Sequence, residues 1–270
     1  MKERLRVGLI AVLAVVFFAN IVSLVRQQLE YRGNAEIYQK AERIAQTPPD
    51  TPAPAGRETE DEEGEAPSGI YRSAEEERYA NELLGLNIPA LREVNPEVVG
   101  WIRIPNTELT YPFLQGTDNS FYLSHGWEKT ANGAGSIYMD WRFSRGFEDF
   151  NTIIYGHQMN NDTMFSALKY YKDQSFWEKH PTIYICDGET VKLYDVFSAW
   201  EAGVTSVVYT TDFSNEDTKR EFLDAALAGS VLDTGIIPAA DDHILTLSTC
   251  TPQGSRTTRW VVQAVERKAE

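Results

Sequence analysis

From Val98 onward the sequence breaks into short apolar stretches separated by turn residues, and this spacing limits the available folds more than any other feature. VVGWIRI, the dipeptide Pro105-Asn106 and ELTYPFLQ read as one hairpin. GSIYMDWR and NTIIYGH follow, and TIYICDGETVKLYDVFSAW turns at Asp187-Gly188, a pair suited to a type I′ turn. HILTLSTC and RWVVQAVE come last. Seven or eight such strands predict a mostly β fold, a closed barrel or a sandwich. Two helices interrupt them. One is TMFSALKYYKD, after His157. The other is SNEDTKREFLDAALAG, where Ser214 is the expected cap, Asp217 the third helical position, Phe222, Leu223, Ala226 and Leu227 the apolar face, and Gly229 the stop. Upstream, AEEERYANELLGL and IPALREV also read as helices, the second ending before Asn95-Pro96.

The first residues have a different character. Lys2, Arg4 and Arg6 precede an uncharged run, Val7 to Val25, interrupted only by Asn20 and Ser23. At about 1.5 Å per residue this run nearly crosses a hydrocarbon core of about 30 Å. No Ala-x-Ala cleavage signal follows it, so an uncleaved anchor over 7–25 is expected, with basic residues 1–6 inside and everything after Arg26 outside. Residues 26–72 read as a polar juxtamembrane helix, RQQLEYRGNAEIYQKAERIAQ, and then a spacer with five prolines and six acidic residues between Glu58 and Glu65. That composition has too little apolar surface to fold. The folded domain is expected over 73–270, and 42% apolar content is ample for its core. A net charge of −15 argues against nucleic acid as a partner, because phosphate binding needs a basic surface.

With so large a core and only two cysteines, a structural disulfide between Cys186 and Cys250 is not expected. Cys186, inside TIYICDG, reads as structural. Cys250 closes an apolar strand and is followed by a Pro/Gly turn. Strand alternation gives Ile244, Thr246, Ser248 and Cys250 one face and Leu245, Leu247 and Thr249 the other, so the thiol sits at a rim. His157 likewise closes NTIIYGH beside Gly156. A nucleophilic thiolate needs a nearby base or cation and a group that takes charge from the attacked carbonyl oxygen. If both strands end at the same rim, Cys250 and His157 form a catalytic couple, with Arg256 or Arg259 as its electropositive third member. Of these, Arg259 opens a strand and Arg256 lies in a mobile turn. Taken singly, each residue also has a plain reading: a cysteine ending a strand serves as a small hydrophobe, and Tyr155 and Trp260 as core aromatics. His125, His180 and His243 lie in turns or at a strand start, and no Cys/His spacing suits zinc.

Together these pieces resemble a family. The strand ending in Gly156-His157, then Thr246-Leu247-Ser248-Thr249-Cys250, then Arg259 opening the final strand, is similar to the TLxTC motif and later arginine of the sortases. NPEVVGWIRIPNTELTYPFLQGTDNSFYLSHGW, GSIYMDWR, IIYGHQM and the extra helix before the last two strands resemble class B in particular; LSTC stands where class A commonly has LITC. The resemblance implies an eight-stranded barrel over a sortase domain at 73–270. It also implies an extracellular cysteine transpeptidase at a Gram-positive surface, with Cys250, His157 and Arg259 catalytic and Ser248 and Thr249 at the substrate. The enzyme would cleave surface proteins after the threonine of a C-terminal sorting motif, through a thioacyl enzyme and without a cofactor. It would pass them to an amine of a cell-wall precursor or a pilin lysine. In papain-like enzymes Cys precedes His, the reverse of the order here. A peptidase that releases the acyl group to water, or a catalytically silent surface-binding domain, stays open.

Overall fold

The computed structural model describes residues 2–48, 69–250 and 255–268. Most of the acidic spacer lies outside the described residues. Eight strands, β1 (Val98–Arg103), β2 (Thr110–Leu114), β3 (Ile137–Met139), β4 (Asn151–Tyr155), β5 (Thr182–Cys186), β6 (Val191–Gly203), β7 (Ile244–Cys250) and β8 (Thr258–Glu266), close into a barrel. Their order is β1-β2-β3-β4-β7-β8-β6-β5, and β5 returns to β1 through Trp101 opposite Cys186. Only β2 with β3 and β4 with β7 run parallel. Alternation sends Leu245, Leu247, Val262 and Ala264 into the central core, where they meet Ile102, Phe113, Ile153 and Phe165. A closed barrel leaves no unpaired sheet edge.

Helix α1 runs unbroken from Lys2 to Ala45, and its Leu13–Ala45 part contains a stretch long and apolar enough to cross a membrane. Its last turns do not extend into solvent. Ala41 and Ala45 are fully buried against α2 (Ala74–Leu84), α3 (Ile88–Val94) and the barrel, together with Leu83, Ile88, Leu91 and Trp127. Both short helices are capped as their sequences require: Ser73 Oγ accepts from Glu76 N at 3.2 Å, and Asn87 Oδ1 from Ala90 N at 3.1 Å. Beyond β8, Arg267 is clasped by Glu76 of α2 at 2.6 Å and by Asp195 of β6, which fastens α2 to the barrel.

Three local expectations need correction. The β5–β6 connection is not a two-residue type I′ turn. It is a four-residue loop in which Asp187 Oδ1 accepts from Glu189 N and Thr190 N, and only Gly188 takes a positive φ of 99°. The segment after His157 is a 3₁₀ helix, Phe165–Lys172, followed by a single turn, α4 (Gln174–Trp177). Helix α5 (Glu216–Gly229) is capped by Asn215, whose side chain accepts from Asp217 N at 2.8 Å, while Ser214 N is drawn back to Asp212. Asp217 is therefore the second helical residue. Gly229 is needed for space: a Cβ there would lie 2.6 Å from the Trp200 ring.

Candidate active site

Two parallel strands decide where the sequence-predicted residues meet. In the β4–β7 register Tyr155 stands opposite Ser248, and Gly156 N continues the ladder to the Ser248 carbonyl at 3.2 Å. Parallel neighbours finish at the same rim. His157 lies two residues beyond Tyr155, and Cys250 two beyond Ser248, so the two backbones leave the sheet side by side. On the far side of β7, antiparallel β8 brings Arg259 directly opposite Cys250. Three neighbouring elements thus carry the backbones of His157, Cys250 and Arg259 to one rim.

The turn that carries His157 is tightly built. Gly156 has no room for a side chain, since a Cβ would meet the Phe165 ring at 2.6 Å. Phe165 N in turn donates to the His157 carbonyl at 3.0 Å. The half-buried imidazole sets its Nε2 2.8 Å from the Leu123 carbonyl oxygen. A carbonyl only accepts, so Nε2 carries a proton and donates. The second titrating position of the ring is therefore Nδ1.

Arg259 is half-buried, and its Nη1 donates to the carbonyls of Thr258 at 2.8 Å and Ser255 at 3.1 Å. Its neighbour Trp260 is buried and donates from Nε1 to Leu168 O at 2.8 Å, which anchors the start of β8 against the barrel interior. Arg256, by contrast, is exposed. Ser248 and Thr249 are both buried, the first in a 2.9 Å hydroxyl contact with Tyr209. Thr249 stands opposite Trp260 in the β7–β8 ladder.

Sequence reasoning missed the polar support beneath the rim. Asp140 at the end of β3 is fully buried and accepts from Asn119 at 2.8 Å, Arg142 Nε at 2.9 Å and the Tyr155 hydroxyl at 3.0 Å. Burial opposes ionisation of Asp140, but the hydrogen bonds from Arg142 and Asn119 outweigh it and hold its carboxyl below the usual range. Tyr155 is pushed far up, chiefly by burial and then by the Asp140 charge, so it remains a donor. Tyr155 is thus a hydrogen-bonded strut as well as a core aromatic. The available signal was an aspartate closing the apolar strand of GSIYMDWR, with a matching arginine two residues later. The Leu123 carbonyl left no trace in the sequence, because a backbone oxygen is present at every position.

Comparison with known proteins agrees with the barrel fold. A family model described as the sortase domain matches residues 102–267. The chain is similar to sortase B of Staphylococcus aureus (strain NCTC 8325 / PS 47), 38% identical over 173 residues that make up 64% of this chain and 71% of that protein. The fold is similar to the crystal structure of Staphylococcus aureus sortase B, with TM-score 0.63 and 37% identity over 67% of this chain and 87% of that one. A Staphylococcus aureus sortase B–substrate complex matches with TM-score 0.63 and 33% identity, covering 73% of this chain and 98% of that one.

Proposed function

Because this chain belongs to the sortase family and is a class B cysteine transpeptidase, we propose that Cys250 is its nucleophile, His157 its acid–base partner and Arg259 its oxyanion donor. The carrying observation is the parallel β4–β7 register, flanked by β8, which brings these three backbones to one rim.

The reaction follows from the chemistry of the groups. The Cys250 thiolate attacks the carbonyl carbon of a threonine in a sorting motif; a C–S bond forms and negative charge gathers on the oxygen. Arg259 already spends Nη1 on two carbonyls of its own loop, which preorganises the guanidinium, and its remaining N–H groups take up that charge. Imidazolium His157, with Nε2–H held by the Leu123 carbonyl, gives its Nδ1 proton to the departing amine, and the C–N bond breaks. A thioacyl enzyme remains. An acceptor amine, on a cell-wall precursor or a pilin lysine, attacks this thioester, returns a proton to His157 and releases the thiolate. Ser248, held by Tyr209, and Thr249 form the strand floor next to the acyl group. The segment from Thr210 to Asp242, with α5 and an exposed Ile237, walls the approach and selects the motif.

Within this reading residues 7–25, the apolar part of α1, form the membrane anchor. Residues 1–6 lie on the cytoplasmic side, and the spacer and barrel project outside, at the cell surface. Incubating the full chain with a library of sorting-motif pentapeptides and an amine acceptor tests the proposal by mass spectrometry. A thioester on Cys250 and an amide-linked product are expected. A free acid as the sole product in the presence of amine assigns hydrolysis instead, and absence of any acyl adduct removes the nucleophile assignment.

A further inference from the structure

The catalytic geometry proposed above depends on one backbone oxygen, that of Leu123, and on one tight turn, His157 to Phe165. Both are fastened to the same helix. The segment 121–136 carries Leu123 and holds on to α1 at three points. Trp127 Nε1 donates to the Ile37 carbonyl at 2.9 Å, Lys40 forms an ion pair with Glu128, and the Tyr38 hydroxyl donates to the Gly135 carbonyl at 2.7 Å. Gly135 is packed so closely onto Leu123 that a Cβ would lie 2.8 Å from the Leu123 oxygen, and its φ of 58° is one that glycine alone adopts without cost. The oxygen that orients His157 and the residue held by Tyr38 are therefore in direct backbone contact.

The second arm starts from the ring of the same residue. Tyr38 meets Tyr111 of β2 edge to face, with centroids 5.1 Å apart at 84°. The Tyr111 hydroxyl accepts from Met164 N at 3.1 Å. Met164 has a positive φ of 60°, bridges back to Gln158 and precedes Phe165, whose N–H holds the His157 carbonyl. Burial keeps the Tyr38 phenol protonated, so it serves as a donor throughout the working pH range.

We propose that Tyr38 of the membrane-anchor helix is a positioning residue for His157, acting on the Leu123 carbonyl through Gly135 and on the His157 turn through Tyr111. This inference rests on the assignment of His157 as the acid–base group. Chemically, an imidazole whose Nε2–H loses its carbonyl acceptor is free to redistribute its proton between the two nitrogens and to rotate, and the fraction of molecules with a proton on the correct nitrogen falls. The anchor helix thereby contributes to the active site as well as to membrane attachment, and severing it from the barrel lowers activity without touching a catalytic group.

The test uses the full chain in detergent micelles, with steady-state transpeptidation of one sorting-motif peptide and ¹⁵N-histidine spectra that report the His157 tautomer. Tyr38→Phe removes the hydroxyl and retains the ring contact, so kcat should fall about fivefold, the factor expected for one lost hydrogen bond, with KM unchanged. Tyr38→Ala removes both arms and should lower kcat by tenfold or more, with a mixed Nε2–H/Nδ1–H signal in place of a single tautomer. Tyr31→Phe, whose hydroxyl accepts from Gln27 on the same helix, should behave as wild type. If Tyr38→Ala proves unfolded by circular dichroism, Tyr38→Phe and Tyr111→Phe decide the matter. A kcat within twofold of wild type in the folded variants, or a kcat loss without any change in the His157 signal, overturns the inference. His157→Ala separates the two levels: retained turnover in that variant removes the acid–base assignment itself, whereas its loss alongside full activity of the Tyr38 variants removes only the role of the helix.

Discussion

Cys186 and Cys250 are both the last residue of an apolar β-strand, yet the barrel gives them opposite neighbours. β5 lies between β1 and β6, with α2 folded over its end, so Cys186 is completely buried. Its Sγ donates to the Leu83 carbonyl at 3.3 Å and accepts from Gly188 N at 3.4 Å. Burial pushes this thiol up, which keeps it protonated and inert. β7 instead lies between the strand that leads to His157 and the one that opens at Arg259. The comparison teaches that a cysteine's chemistry is set by what adjoins it across the sheet, because residues in one strand cannot supply both a base and a cation to their own terminus.

The sharpest way to break this comparison is to remove each thiol in turn. Cys250→Ala should abolish acyl-enzyme formation, a loss of at least about 10³-fold. Cys186→Ala should retain turnover and lose about 1–2 kcal/mol of stability from the emptied contact. Equal alkylation of the two thiols in the folded protein would show that the environments are not opposed. Next in size is the arginine opposite Cys250. Arg259→Ala should cost about 10²–10³ in kcat/KM, Arg259→Lys should recover little because the fork geometry is lost, and exposed Arg256→Ala should stay near wild type. A larger loss at Arg256 contradicts the register argument.

The third effect is the pH dependence. Thiolate and imidazolium must coexist, so kcat/KM should be bell-shaped, with two macroscopic pKa values belonging to the pair. A flat rate between pH 5 and 9 rules out the couple. The smallest effect concerns the support beneath the rim. Asp140 has a folded-state pKa below its unfolded value, so its contribution to stability is complete above about pH 4, the usual carboxylate value, and is lost as pH falls through the folded value. Asp140→Asn should therefore flatten the acid limb of a Tm-against-pH curve from pH 2 to 5. An unchanged acid limb means that Arg142, Asn119 and Tyr155 do not hold a charged carboxylate.

Much of this was legible beforehand where the cause is local. Short apolar stretches bounded by turn residues located all eight strands, and Ser73 and the residues before Asn95 bounded their helices, because strand propensity, turns and capping depend on a few neighbouring residues. The errors arose where a second segment intervened. Asn215 rather than Ser214 caps α5 because Asp212 already accepts the Ser214 N–H. Gly229 does end α5 as expected, and the Trp200 ring beside it leaves no room for a side chain there. Tyr155 packs against the core as expected, and what the sequence did not show is its bond to Asp140, just beyond the neighbouring strand β3.

By itself the sequence determined the strands, the long apolar helix, and the positions of a thiol, an imidazole and an arginine at strand ends, since each follows from side-chain type and short-range periodicity. Tertiary structure decided that β4, β7 and β8 are neighbours, that the end of β5 is sealed by α2, and that the Leu123 carbonyl meets His157 from 34 residues away. Strand order in a barrel is settled by the packing of all eight strands around one core, and a backbone oxygen acquires a role only from the segment folded against it; neither quantity is carried by any single stretch of chain.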